Sequence, residues 1–161
     1  MKTTMLAPTL ASLFGELVDG PTSSTAFMLN TGDVGLLKSL DRLSAAEASA
    51  TLSGGGSVAA HTDHLRYGLS LMNRWATGDD PYRGADWGTS WRLSALSDGE
   101  WKSLRAALAS EARRWHVTLE TPRDVKESEL SFMIASIAHL AYHLGAIRQI
   151  APTARGPADG T

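Results

Sequence analysis

Apolar residues recur at three- and four-residue steps along most of this chain, the signature of helices with one buried face. Leu10, Leu13, Phe14 and Leu17 form the first stripe, over Thr9 to Val18, and Asp19-Gly20-Pro21 supplies its stop. A shorter helix is predicted from near Asp33 through Val34, Leu36, Leu37 and Leu40. Ser44-Ala-Ala-Glu47 has the spacing of a capping box and predicts a brief helix ending before Gly54-Gly55-Gly56. Ser57 then caps a long helix to about Ala76, with the stripe Val58, His61, Leu65, Leu69 and Met72 flanked by Leu71 and Trp75. A second capping box, Ser97-Asp-Gly-Glu100, opens a helix striped by Trp101, Leu104, Leu108, Ala112, Trp115 and Leu119, with Pro122 beyond its end. The last helix is predicted from about Glu127 to Ile150, with Leu130, Ile134, Ile137, Ala141, Leu144 and Ile147 on one side.

No alternating run competes with these assignments, so the chain is expected to be all-α. Long amphipathic helices need one another to bury their stripes, and a four-helix bundle with short extra helices is the simplest arrangement. At 161 residues a single domain is expected, over 1–150, with a frayed tail over 151–161. One connection stands out. Thr77 to Leu96 is long for a compact domain and carries Tyr82, Trp87 and Trp91, bulky residues that argue for a loop folded back over something.

Composition narrows the chemistry. There is no cysteine, which removes disulfides, thiolate metal ligands and a cysteine nucleophile from the chain itself. Fifteen Lys+Arg against 17 Asp+Glu leave a formal charge of −2 with no strong basic cluster, so a nucleic-acid partner is not expected. No membrane span is expected, because no run of about 18 uninterrupted apolar residues stands out. The segment Met1 to Ala11 lacks the apolar run and cleavage site of a secretion signal, and a cytoplasmic protein is expected.

Five histidines remain, and four of them fall into two close pairs. His139 and His143 are four apart on the last helix, so both imidazoles project from one face and can ligate one metal ion. His61 and His64 are three apart on the helix after the glycines, again on neighbouring positions of one face. Two histidines from one helix and one from another make a three-nitrogen site with an open position, the pattern of a catalytic metal. Periodicity leaves open whether His61 or His64 is the third ligand. His61 lies in the apolar stripe, whereas His64 shares its face with Gly68, which frees space beside a bound group. Asp63 is a candidate acceptor for a ligand imidazole, or an ordinary first-turn acid. Tyr142 and Arg66 flank the histidines as candidate substrate-orienting groups, and His116 is expected at the surface.

The segments Ser57-Val-Ala-Ala-His-Thr-Asp-His64-Leu65 and His139-Leu-Ala-Tyr-His143-Leu-Gly-Ala-Ile147 resemble the DinB/YfiT-like superfamily. The resemblance spans nearly the whole chain, to about Ile150. It implies a four-helix bundle with a divalent metal held by one histidine of the second long helix and two of the last. Laid on this chain, that pattern selects His64, His139 and His143. The chain departs from it at Ala146, where the family often has Gln, and Gln149 is the nearest substitute.

Characterised members resemble transferases and isomerases dependent on low-molecular-weight thiols. The resemblance therefore implies a metal-dependent S-transferase acting on a small-molecule substrate, with a homodimer as its assembly. Three imidazoles suit Zn, Ni, Cu or Fe, of which Zn or Ni is favoured. A metal-dependent hydrolase and a non-catalytic bundle with a vestigial site are the alternatives. The hydrolase lacks the Glu that a His-Glu-x-x-His helix places beside its ligands.

Overall fold

Six α-helices form among the described residues, close to where stripes and caps predict them. The computed structural model describes residues 2–22, 26–51, 55–93 and 95–158. The helices are α1 (Ala7–Asp19), α2 (Gly35–Asp41), α3 (Ala45–Ser49), α4 (Val58–Ala76), α5 (Asp98–Glu120) and α6 (Glu127–Ile150). Described residues contain no strand beyond an isolated bridge between Lys2 and Asp124.

The caps are built as the sequence implies. Ser44 and Glu47 form a capping box at α3, as do Ser97 and Glu100 at α5, while the Ser57 hydroxyl accepts from Ala60 N–H at the start of α4. At α1 the first turn carries Pro8, and Gly20 ends the helix with φ +90°. Gly20 also lets α2 approach. A side chain on Gly35, whose φ is +72°, would strike the Gly20 amide nitrogen. Of the triple glycine, Gly54 lies outside the described residues, and Gly55 and Gly56 belong to no element.

The four long helices share one core. α4 runs against α5 and α6, and α1 closes the set against the same two. Phe14, Leu65, Leu108, Trp101, Trp115, Met133 and Ile147 are among the fully buried side chains. Polar groups drawn into this core find partners. Trp115 Nε1 donates to Ser136 Oγ at 2.8 Å, tying α5 to α6, and Asn73 Nδ2 donates to the Glu111 carboxylate at 2.7 Å, tying α4 to α5.

Three expectations change. In α6 the buried face is Met133, Ile137, Leu140, His143, Leu144 and Ile147, while Ile134, assigned to the core stripe, is 52% exposed. This helix is apolar nearly all round, so its pattern does not select a face. By length and composition α6 is also apolar enough to cross a membrane, with mean hydropathy 1.5 over an 18-residue window, although one third of that window is buried in the core. Finally, the tail expected to fray from Ala151 is packed as far as described. Pro152–Ala154 form a 3-10 turn, Ala154 is fully buried, and Arg155 Nε donates to the Arg148 carbonyl at 3.0 Å. Residues 159–161 lie outside the described residues.

Candidate metal centre

α4 and α6 bring the two histidine pairs face to face. His139 Nε2 lies 3.2 Å from His64 Nε2 and 2.9 Å from His143 Nε2. One ligand nitrogen from each of the three residues lies within 4.8 Å of the other two, and among the described residues no carboxylate joins the group. Metal–nitrogen bonds of about 2.0–2.1 Å in a tetrahedral set place their nitrogens about 3.3 Å apart. The two nearest separations are close to that spacing, so these three histidines could hold a metal ion.

The partners behind the rings fix which nitrogens face the centre. The Ser90 hydroxyl donates to the Trp87 carbonyl at 3.0 Å, so its oxygen accepts from His64 Nδ1–H at 3.1 Å. With its proton on Nδ1, His64 presents a bare Nε2 to the cluster. His61 Nδ1 lies 2.8 Å from His143 Nδ1, on the side of the His143 ring away from His139. In that pair one nitrogen must donate. Donation by His143 leaves its Nε2 bare as well, and a single proton on His139 Nε2 can satisfy only one of its two close neighbours. Excess lone pairs at one point are the donor chemistry that a cation resolves.

Electrostatics keep the set neutral. Burial lowers the pKa of all four histidines. His64 is brought down to about 4, first by burial, then by charge repulsion from His139 and His61, against a small opposing pull from Asp63. His143 falls to about 3, again mainly by burial, with repulsion from His139, His61 and His64 added. At neutral pH the imidazoles are uncharged, each with one bare ring nitrogen, and competent as ligands.

Of His61 and His64, it is His64 whose ring nitrogen groups with those of His139 and His143. His64 joins the cluster, and His61 stands behind His143 as its hydrogen-bond partner. The loop predicted to fold back does so over these rings. Its short turn, Thr89–Trp91, buries Ser90 and places the Trp91 ring 5.0 Å from His61 and 4.6 Å from His64. A side chain on Gly56 would meet Trp91 at 3.0 Å, so a glycine there admits the indole.

Other sequence candidates fall elsewhere. Asp63 accepts from Arg66 Nε at 2.6 Å, so the pair engages itself and the imidazole partner is Ser90. Sequence reading missed Ser90, because nothing local marks a serine in a long loop as a histidine partner. Tyr142 is 71% exposed, with its ring edge-on to His143. Gln149 lines a separate cavity with Asp33 and Arg148, away from the histidines. His116, expected at the surface, is half-buried over Gly15 and Phe14 because α1 packs across that face of α5.

No protein-family model, curated protein or solved structure matches the chain. The site therefore rests on this chain's own geometry.

Proposed function

We propose that the chain is a DinB/YfiT-like four-helix bundle that binds a divalent metal ion through Nε2 of His64, His139 and His143. In this reading it uses the site for S-transfer from a low-molecular-weight thiol to a small-molecule electrophile. The observation that carries the reading is the convergence of three uncharged imidazole nitrogens from two helices, each helix held in register by the shared core. Zinc and nickel are the favoured ions, since both accept all-imidazole sets. When bound, a divalent ion with three neutral ligands keeps its full charge and lowers the pKa of a thiol or water in its open position.

The chain's own residues supply the rest. Ser90 and His61 hold the ligand rings from behind, and Trp87 and Trp91 cover the cluster. In the transfer the sulfur gives its electron pair to an electrophilic carbon and a C–S bond forms. The bond to the leaving group breaks, the leaving group takes that electron pair, and the thiol proton passes to solvent. Having no cysteine, the protein must take its sulfur from outside. The only carboxylate near the ligands in sequence, Asp63, is held by Arg66, which leaves a hydrolase without its base.

The test is thiol consumption with an activated aryl halide, measured across a panel of low-molecular-weight thiols with protein loaded with zinc or nickel. A rate above buffer that disappears in His143→Ala supports transfer. Equal rates with and without protein, for every thiol, overturn it.

A further inference from the structure

His139 has a second face. Its Nε2 meets the other ligands, while its Cε1 edge looks along α4, where a side chain on Gly68 would lie 4.0 Å away. On that side a cavity of about 230 Å³ opens between α4 and α6, walled by Leu65, Leu69, Trp87, Phe132, Leu140 and His139.

Its polar groups are already engaged. Tyr82 hydroxyl donates to the Met72 sulfur, and Ser136 Oγ donates to the Met133 carbonyl while accepting from Trp115. Among the described residues no Asp, Glu, Lys or Arg lines the cavity. A charged ligand would therefore lose its water with nothing to replace it, whereas a neutral apolar one gains by burial. Gly68 keeps the floor open: a side chain there would reach the Trp87 ring at 3.6 Å and occupy the space. At the rim, Phe132 stacks on Tyr82 and is 44% exposed, an apolar surface left beside an open cavity.

We infer that this cavity binds the apolar, uncharged body of an organic substrate, delivering its reactive end past His139 to the metal centre. Size sets the class. An apolar cavity of about 150 Å³ takes one benzene ring, so this one suits a fused bicyclic or short-chain alkylbenzene skeleton. The inference rests on the metal-centre reading for the direction in which the substrate is presented, but the cavity itself is formed without any metal.

Two arms separate the claims. In the first, metal-free wild-type protein is titrated calorimetrically with naphthalene and with 2-naphthoate. Naphthalene is expected to bind saturably and 2-naphthoate at least about tenfold more weakly, a difference of about 1.4 kcal/mol. Ala135→Trp, at an exposed lining position of α6, is expected to weaken naphthalene about tenfold or more. Gly68→Leu fills the floor and should do the same. Both variants are checked for unchanged helical signal and for cobalt binding, which Ala135→Trp should retain. In the second arm, cobalt(II) is bound to wild type and naphthalene is added, and a shift of the visible cobalt bands is expected because His139 is common to both sites.

No saturable naphthalene binding, or equal binding by wild type and both folded variants, overturns the cavity proposal. Equal affinity for 2-naphthoate overturns its apolar selectivity. If cobalt does not bind while naphthalene does, the metal centre fails and the cavity stands. If both bind and the cobalt bands do not move, the link through His139 is wrong.

Discussion

His61 Nδ1 and His143 Nδ1 face each other at 2.8 Å, so the histidine that sequence periodicity points most clearly inward supports a ligand ring. This contact joins the two histidine pairs into one unit, and it orients His143 Nε2 toward His139. Partners of this kind fix the tautomer and aim of a ligand.

His61→Ala removes that support and leaves the three converging nitrogens in place. Its affinity for zinc or cobalt, measured by competition with a chelating dye, is expected to fall about 10–100-fold. His61→Gln, whose side-chain oxygen can accept from His143 Nδ1–H, should recover part of the loss. An affinity unchanged in His61→Ala would show that the contact does not orient the ring.

Ser90 holds His64 in the same way from the loop. Ser90→Ala is expected to weaken metal binding by about 10–100-fold with no loss of helical content, because Ser90 lies outside the long helices. Alanine at the exposed neighbour Thr89 should leave the affinity as it is. Equal affinities in wild type and Ser90→Ala would remove the loop from the site.

Acid should act through the histidines. In the metal-free folded chain burial holds His64 and His143 down to about 4 and about 3, against 6.5 for an ordinary histidine. The unfolded chain therefore takes up protons first as the pH falls below 6.5. Their contribution to stability is present above 6.5 and is lost progressively toward the folded values. Urea midpoints of metal-free protein should fall between pH 7 and pH 5, and fall less steeply in a His64→Phe/His143→Phe variant. Parallel profiles would contradict the burial of these rings.

Two glycine substitutions test the fold, Gly35 where α1 meets α2 and Gly78, just past the end of α4, as the reference without a neighbour. Gly78→Ala, at φ +101° in open space, is expected to cost about 1–2 kcal/mol from backbone conformation alone. Gly35→Ala adds a side chain that strikes the Gly20 amide and should cost distinctly more. Urea unfolding of both variants checks the order. Equal losses would mean that α2 does not approach α1 so closely.

Much of this arrangement is legible in the chain, and the gaps have physical causes. Ser44, Ser57 and Ser97 mark helix starts because capping is a local interaction between neighbours. α4 declares its inner face because Arg74 and other polar residues occupy the opposite side, whereas α6 carries Ile134, Ala138 and Tyr142 outside and hides its phase. Ala151 and Ala154 look like parts of a loose tail, yet both are buried, which no local pattern reveals. The His139–His143 spacing points to one face of a helix, but Ser90 reaches His64 only through a loop fold that sequence neighbours do not encode.

The central claim is tested most directly by elemental analysis of purified protein after loading with zinc and gel filtration. Wild type and His116→Ala are predicted to keep one divalent ion per chain, and His64→Ala, His139→Ala and His143→Ala to keep none above background. A wild type without bound metal, or single variants that retain it in full, would contradict the three-histidine centre.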